Sequence, residues 1–212
     1  MTRSADGARA ELLDRALDLF AAYGYDGVGV QQICAAAGVT KPTLYHYFGA
    51  KRGLLETLMD ERLKPLHAAL AACAGPGEDL AARLTRIAEA AFAFAAAERT
   101  FYRLYLTLWF APIRSEAYEV ARTFHERHFA AIEQPFRDAA HADRALEGRS
   151  RALTAAFLGQ INNHIALALN NYTALNAKLA GETTQAFLYG ATPRRGAAEP
   201  PQDAASNLPI GK

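Results

Sequence analysis

Apolar residues recur every third or fourth position through most of the chain. Leu13, Ala16, Leu17 and Phe20 stand at i, i+3, i+4 and i+7 and predict a first helix from about Ala8 to Tyr23, stopped by Gly24. A short helix follows over Val30–Ala37, where Gly38 suits the left-handed residue that ends a helix. Thr40 is placed to cap the next helix, which tolerates Pro42 in its first turn and ends at Phe48. A fourth helix starts near Lys51 and continues past Leu66. Later helices are marked by Leu80, Leu84, Ile87, Ala91 and Phe92, and by Phe101, Leu104, Tyr105, Leu108 and Trp109, the second closed by Pro112. A long helix runs from Ser115 to about Ala139 with a bend expected at Pro135, and two more span roughly Leu146–Tyr172 and Ala177–Tyr189. Alternating apolar and polar runs rich in β-branched residues are missing, so the expected fold is all-α. A turn is expected at Gly75–Gly77, and residues 191–212 lack apolar periodicity and read as a disordered tail.

Composition narrows the class. The chain has 212 residues, 51% of them hydrophobic and 21% charged, enough to bury a sizeable core. The polar stretch Met1–Arg9 has no secretory pattern, and no run of about 18 apolar residues suggests a membrane span. Cys34 and Cys73 lack a C-x-x-C or zinc-ligand pattern and read as buried thiols, so a cytoplasmic protein without metal or cofactor is expected. The formal net charge of +1 argues at first against a nucleic-acid partner. Its distribution removes the objection: residues 27–55 carry Lys41, Lys51 and Arg52 and no acid, whereas residues 56–212 hold 17 bases and 17 acids.

The stretch from Gly27 to Leu55 (GVGVQQICAAAGVTKPTLYHYFGAKRGLL) has the helix lengths and turn chemistry of a helix-turn-helix. Ile33, Ala36, Val39, Leu44 and Phe48 are its expected small core. Projected at about 100° per residue, the second helix buries Leu44 and Phe48 and turns Pro42 and His46 outward, with Thr43 and Tyr45 on the flanks. A hydroxyl, a phenol and an imidazole thus reach toward base edges or phosphates. Lys51 and Arg52 follow where cations and free helix N–H groups favour a phosphate. The run Ile33, Ala37-Gly38-Val39-Thr40, Leu44-Tyr45-His46-Tyr47-Phe48, Lys51 and Leu54, preceded by Phe20-Ala21-Ala22-Tyr23-Gly24-Tyr25, resembles the DNA-binding domain of the TetR family of regulators. The resemblance covers residues 9–55 and implies DNA contacts by Gln31, Gln32, Thr40, Lys41, Pro42, Thr43, Tyr45, His46, Tyr47 and Lys51. Gly29 stands where the family usually has Thr or Ser, which weakens the cap on the second helix, and Cys34 replaces a usual alanine.

The same resemblance implies a helix-turn-helix domain over residues 1–52 and a helical domain over 53–190 that dimerises and binds a small effector. Its implied partners are a palindromic double-stranded DNA operator, a small molecule and a second copy of the chain, with no membrane. Aromatic residues cluster between Phe92 and Phe129, and two imidazoles point among them. The candidate ligand residues are Phe92, Tyr102, Tyr105, Trp109, Phe124, His125, His128, Phe129, Asn162 and His164. The penultimate helix is apolar on more than one face, which suggests a dimeric four-helix contact through Phe157, Gln160, Asn163, Leu167, Phe187 and Leu188. Two other readings compete with a repressor released by an apolar or aromatic effector. One is a metal-assisted hydrolase built on His125, His128 and Glu126, although no third ligand or catalytic motif accompanies them. The other is a helical interaction protein that does not bind DNA.

Overall fold

The computed structural model describes residues 5–73 and 79–190; the turn expected at Gly75–Gly77 and the tail 191–212 lie outside them. The described residues form nine α-helices and one 3-10 turn, with no strand. The first three helices, α1 (Ala5–Tyr23), α2 (Val30–Ala37) and α3 (Lys41–Phe48), form a small bundle at one end. Its core contains Leu12, Leu13, Ala16, Phe20, Ile33, Cys34, Ala37 and Leu44. Ala36, expected in this core, is exposed; Cys34 and Ala37 complete the buried arc that opens on Ile33. The turn between α2 and α3 rests on Gly38 at φ +64°, a left-handed backbone that glycine adopts without strain. Thr40 takes the N-cap position of α3 without a side-chain bond to the backbone; its hydroxyl instead meets that of Thr43 at 2.9 Å.

Helix α4 (Lys51–Ala72) follows α3 directly, across Gly49 and Ala50. A Cβ at Gly53 would stand 2.1 Å from the Phe48 carbonyl oxygen, so only glycine permits this junction. The boundary expected at residue 52 falls in the first turn of α4, and the helix runs through it unbroken. Its buried stripe, Leu54, Leu55, Leu58, Met59, Leu63, Leu66 and Leu70, packs against α1 and α3 and also against the body.

The body consists of α5 (Leu80–Ala97), α6 (Arg99–Trp109), α7 (Glu116–Ala142), a 3-10 turn (Arg144–Leu146), α8 (Ser150–Leu169) and α9 (Ala177–Tyr189). Helix α7 lies between α4 and α8, and α5 packs on α9. Side-chain caps define several starts: Asp79 for α5, Ser115 for α7 and Asn176 for α9 each accept a backbone N–H. Helix α8 begins and ends inside its expected bounds. Its end is fixed by Arg99, which donates to the Ala168 carbonyl at 3.0 Å, and by Arg103, which donates to the Leu169 carbonyl at 2.6 Å. Pro65 lies inside α4 and Pro135 inside α7, each removing one helical N–H donor.

Both apolar stripes of α8 are used within the chain: Phe157, Ile161 and Ile165 are fully buried, and Leu158 and Leu169 nearly so. Phe157 is therefore a core residue and not a surface one, packed on Phe136 (6.3 Å between ring centres) and Phe187 (5.1 Å). Phe157→Ala is expected to lower unfolding stability by roughly 3–5 kcal/mol through the cavity it leaves. Chemical denaturation would check this, as a drop in midpoint at unchanged slope.

Candidate functional site

The outward side of α3 presents Lys41, Pro42, Tyr45 and His46, all exposed, with Thr43 and Tyr47 half-buried beside them. Leu44 and Phe48 anchor its inner side. The Tyr47 ring lies 5.2 Å from that of His46 and 6.1 Å from that of Phe48, so it bridges the outer surface and the core. Gln31 and Gln32 are exposed at the start of α2, which Gly29 precedes in extended backbone without a side-chain cap.

Lys51 makes its described contacts within the chain. Its ammonium donates to the carbonyls of Tyr25 (3.1 Å) and Val28 (3.0 Å) and sits 4.0 Å from the centre of the Tyr25 ring. It ties the loop between α1 and α2 to the start of α4. Arg52 pairs with Glu56 at 2.8 Å along α4. Of the three cations in residues 27–55, Lys41 is the one that stands on the exposed surface without an ion pair among the described residues.

Tyr25 is a site residue that the periodicity did not reveal. Its ring packs on Phe20 at 5.1 Å, and its hydroxyl donates to the Glu116 carboxylate at the start of α7. Burial and that carboxylate push its phenol well above the usual range. Arg62 of α4 adds a second tie between bundle and body, pairing with Asp14 of α1 and with Glu98 ahead of α6. A Tyr and a Glu 91 residues apart carry no local pattern, so spacing could not have joined them.

The expected ligand residues divide among several places. A cleft of about 620 Å³ between α6, α7 and α8 is lined by Trp109, His125 and Phe129 together with Tyr118, Arg122 and Arg151. A neighbouring groove, also about 620 Å³, shares Trp109 and Phe129 and adds Asn162. Phe92 and Tyr102 are buried in the core instead: Phe92 packs on His164 at 6.1 Å, and Tyr102 donates to Asn162 at 2.9 Å. Phe124 lines a different cleft, of about 510 Å³, beside Arg9, Arg52 and Glu56. Of the expected ligand residues, Trp109, His125, Phe129 and Asn162 thus stand at the walls of these two cavities, with Tyr105 packed against both His125 and His128.

Those inner residues form a polar knot. His67 of α4, Tyr105 of α6, and His125 and His128 of α7 lie with ring centres 4.6–6.4 Å apart along the series Tyr105–His125, Tyr105–His128 and His67–His128. The His67 Nε2, Tyr105 hydroxyl, His125 Nε2 and both His128 nitrogens are buried without a hydrogen-bond partner. Burial lowers all three imidazoles, His125 to about 4 and His128 to about 3, so they are neutral at pH 7. Among the described residues, no group of three or more His, Cys, Asp or Glu is placed to hold a metal ion.

On α8, Gln160, Asn163 and Leu167 of the expected dimer set are exposed in one strip. Phe187 and Leu188 of α9 are half-buried against the core. Phe110 and Ile113, just past the end of α6, are 83% and 77% exposed. Among the described residues no helix is long and apolar enough to cross a membrane.

Two short helices crossing at a glycine turn, with the second presenting polar side chains outward, define a helix-turn-helix protein. Residues 12–58 match the profile of "Bacterial regulatory proteins, tetR family". The HTH-type transcriptional regulator RutR of Escherichia coli strain K12 is 35% identical over 71 residues, 32% of this chain and 34% of RutR. The transcriptional activator FasR of Mycolicibacterium smegmatis is 31% identical over 99 residues, 47% of this chain and 45% of FasR. The chain thus spans about a third to a half of the length of these curated relatives. Among solved structures, the regulator FadR from Bacillus subtilis in complex with stearoyl-CoA shares the fold with a TM-score of 0.72 at 17% identity, covering 86% of this chain and 99% of that one. PfmR of Thermus thermophilus, described as a TetR family transcriptional regulator, does so at 0.66 and 22%, covering 86% and 99%. Over residues 12–58 the chain thus resembles the tetR family of bacterial regulatory proteins.

Two measurements check this geometry. Lys51→Ala removes charge-assisted bonds to two carbonyls and is expected to cost about 1.5–3 kcal/mol of stability, read from thermal unfolding. A phosphate-contacting lysine would leave the melt unchanged. The histidines set a pH dependence. The unfolded chain takes up protons as pH falls through about 6.5, whereas the native knot resists until about 4 at His125 and about 3 at His128. Their stabilising contribution is therefore complete above pH 6.5 and declines below it, on the order of 1.4 kcal/mol per pH unit for each of these two imidazoles. Melts between pH 7 and 5 should show this slope, and His128→Phe should make it shallower by that residue's share.

Proposed function

We propose that the chain is a ligand-responsive transcriptional regulator, acting as a repressor that binds a palindromic DNA operator as a homodimer. The observation that carries this reading is the exposed surface of Gln31, Gln32, Lys41, Pro42, Tyr45 and His46, held outward by the buried Leu44 and Phe48. In a dimer, two such surfaces would meet successive major grooves roughly 34 Å apart. The small-residue strip of α8 around Gly159, with Gln160, Asn163 and Leu167, is the proposed contact between copies. Phe157 has no part in it, and Phe187 and Leu188 support it from behind. The relatives are regulators, which disfavours the hydrolase reading, and the helix-turn-helix match disfavours an interaction protein without DNA.

An effector in the cleft beside Trp109 and His125 would act through α7, whose Glu116 holds the Tyr25 hydroxyl and whose His128 faces His67 of α4. Release requires that the effector bind one arrangement of α4 and α7 more tightly than the other.

The test is fluorescence anisotropy against DNA from upstream of the gene, read as a function of salt. His46→Ala should alter preference among sequences, while Lys41→Ala should weaken all sequences alike and lower the salt slope by about one. Unchanged affinity in both variants would remove the assignment of α3. Gln160→Arg, examined by sedimentation, should shift the protein toward monomer while leaving its melting unchanged.

A further inference from the structure

The polar knot behind the cleft has a composition that selects among ligands. Four side chains from three helices bring five unpartnered polar atoms together, each costing free energy while it has no partner. We propose that this knot receives the hydroxyl group of an uncharged, hydroxylated aromatic ligand whose ring lies in the cleft between Trp109 and Phe129; the proposal rests on the effector-responsive reading above and names the ligand class. The cleft supplies the ring site. Trp109 is the last residue of α6 and is half exposed, and its indole meets the His125 imidazole edge-on at 4.6 Å. It stands beside His125 on the wall of the cleft.

The knot supplies the choice of head group. His125 forms a backbone hydrogen bond with Tyr105 that favours its charged form, so the imidazole is the donor there, and its remaining Nε2 is an acceptor in the neutral ring. The Tyr105 hydroxyl and the two His128 nitrogens offer both donor and acceptor capacity around it. A hydroxyl satisfies such a set, since it donates to the Nε2 and accepts from a neighbour. A carboxylate or phosphate would find no cation in the knot, because burial keeps its imidazoles neutral. The cations lie along the cleft and not in the knot: Arg122, Arg137 and Arg151 line it, Arg151 at 5.2 Å from the Phe129 ring. A purely aliphatic end would leave all five atoms unpaired.

Calorimetric titration of the full-length protein with 2-naphthol, 2-methoxynaphthalene and 2-naphthoate tests this. The expected result is at least tenfold tighter binding of 2-naphthol than of either analogue. Tyr105→Phe and His125→Phe should each shrink that preference severalfold, read as the ratio of 2-naphthol to 2-methoxynaphthalene affinity within each variant; if the His125 variant fails to fold, the Tyr105 variant decides. Equal affinity for naphthol and its methyl ether, a preference for naphthoate, or a naphthol preference that survives the substitutions would each overturn the proposal. Failure of all three naphthalenes to bind overturns it too. Operator release by an acyl thioester in the same preparation would then leave the effector reading standing. Absence of operator binding without any ligand would count against the DNA reading instead.

Discussion

One helix must satisfy two sets of neighbours at once. The apolar stripe of α4, from Leu54 to Leu70, is buried against α1 and α3 in the DNA-reading bundle and against α5 and α7 in the body. Neither part can seal its core without this shared helix, because a three-helix bundle of two short helices and one long one has little apolar surface of its own. The placement of every proposed functional group follows from α4. Lys51 at its start fixes the loop ahead of α2, Arg62 ties it to α1 and α6, and His67 carries it into the polar knot.

The electrostatics of the reading surface are leaner than the sequence count of three bases implies. Lys51 and Arg52 both spend their charge inside the chain, one on backbone carbonyls and a ring, the other on Glu56. Sequence-independent attraction to a phosphate backbone is then modest, and more of the discrimination falls to neutral groups such as Tyr45, His46 and the glutamines. That arrangement fits a chain whose total charge is +1.

Much of this was legible in the sequence, for a physical reason. Gly29, Gly38 and Gly49 bracket α2 and α3 so tightly that their bounds follow from local backbone chemistry, and Ala177–Tyr189 follows from its periodicity. Periodicity assigns a side to each residue but does not say what lies opposite. Phe157 is apolar on any reading, yet only the packing of Phe136 and Phe187 places it inside. The ring of His164 meets Phe92 and not the cleft, a distinction that helical spacing does not draw. The Tyr25–Glu116 contact and the polar knot join elements distant in sequence, and side-chain type alone could not pair them. Lys51 shows the same gap from the other side: a motif position marked its importance, and only the structure shows its bonds to the Tyr25 and Val28 carbonyls.

The two prolines within helices have a mechanical consequence. Pro65 in α4 lies two residues before His67, and Pro135 in α7 lies seven residues after His128, on helices that pack against each other. Each missing N–H leaves one rung absent from the helical ladder, so bending at these points disrupts fewer bonds than bending elsewhere along the same helix. Around Pro135, α7 is clamped to its neighbours by the Arg83–Asp138 pair on the α5 side and by Ser150 of α8 against Glu133. The preceding segment, with His125, His128 and Glu116, is joined to the bundle through Tyr25. Helix α7 is therefore held to α5 and α8 around Pro135 and to the loop leading into α2 at Glu116, with the histidines on the span between.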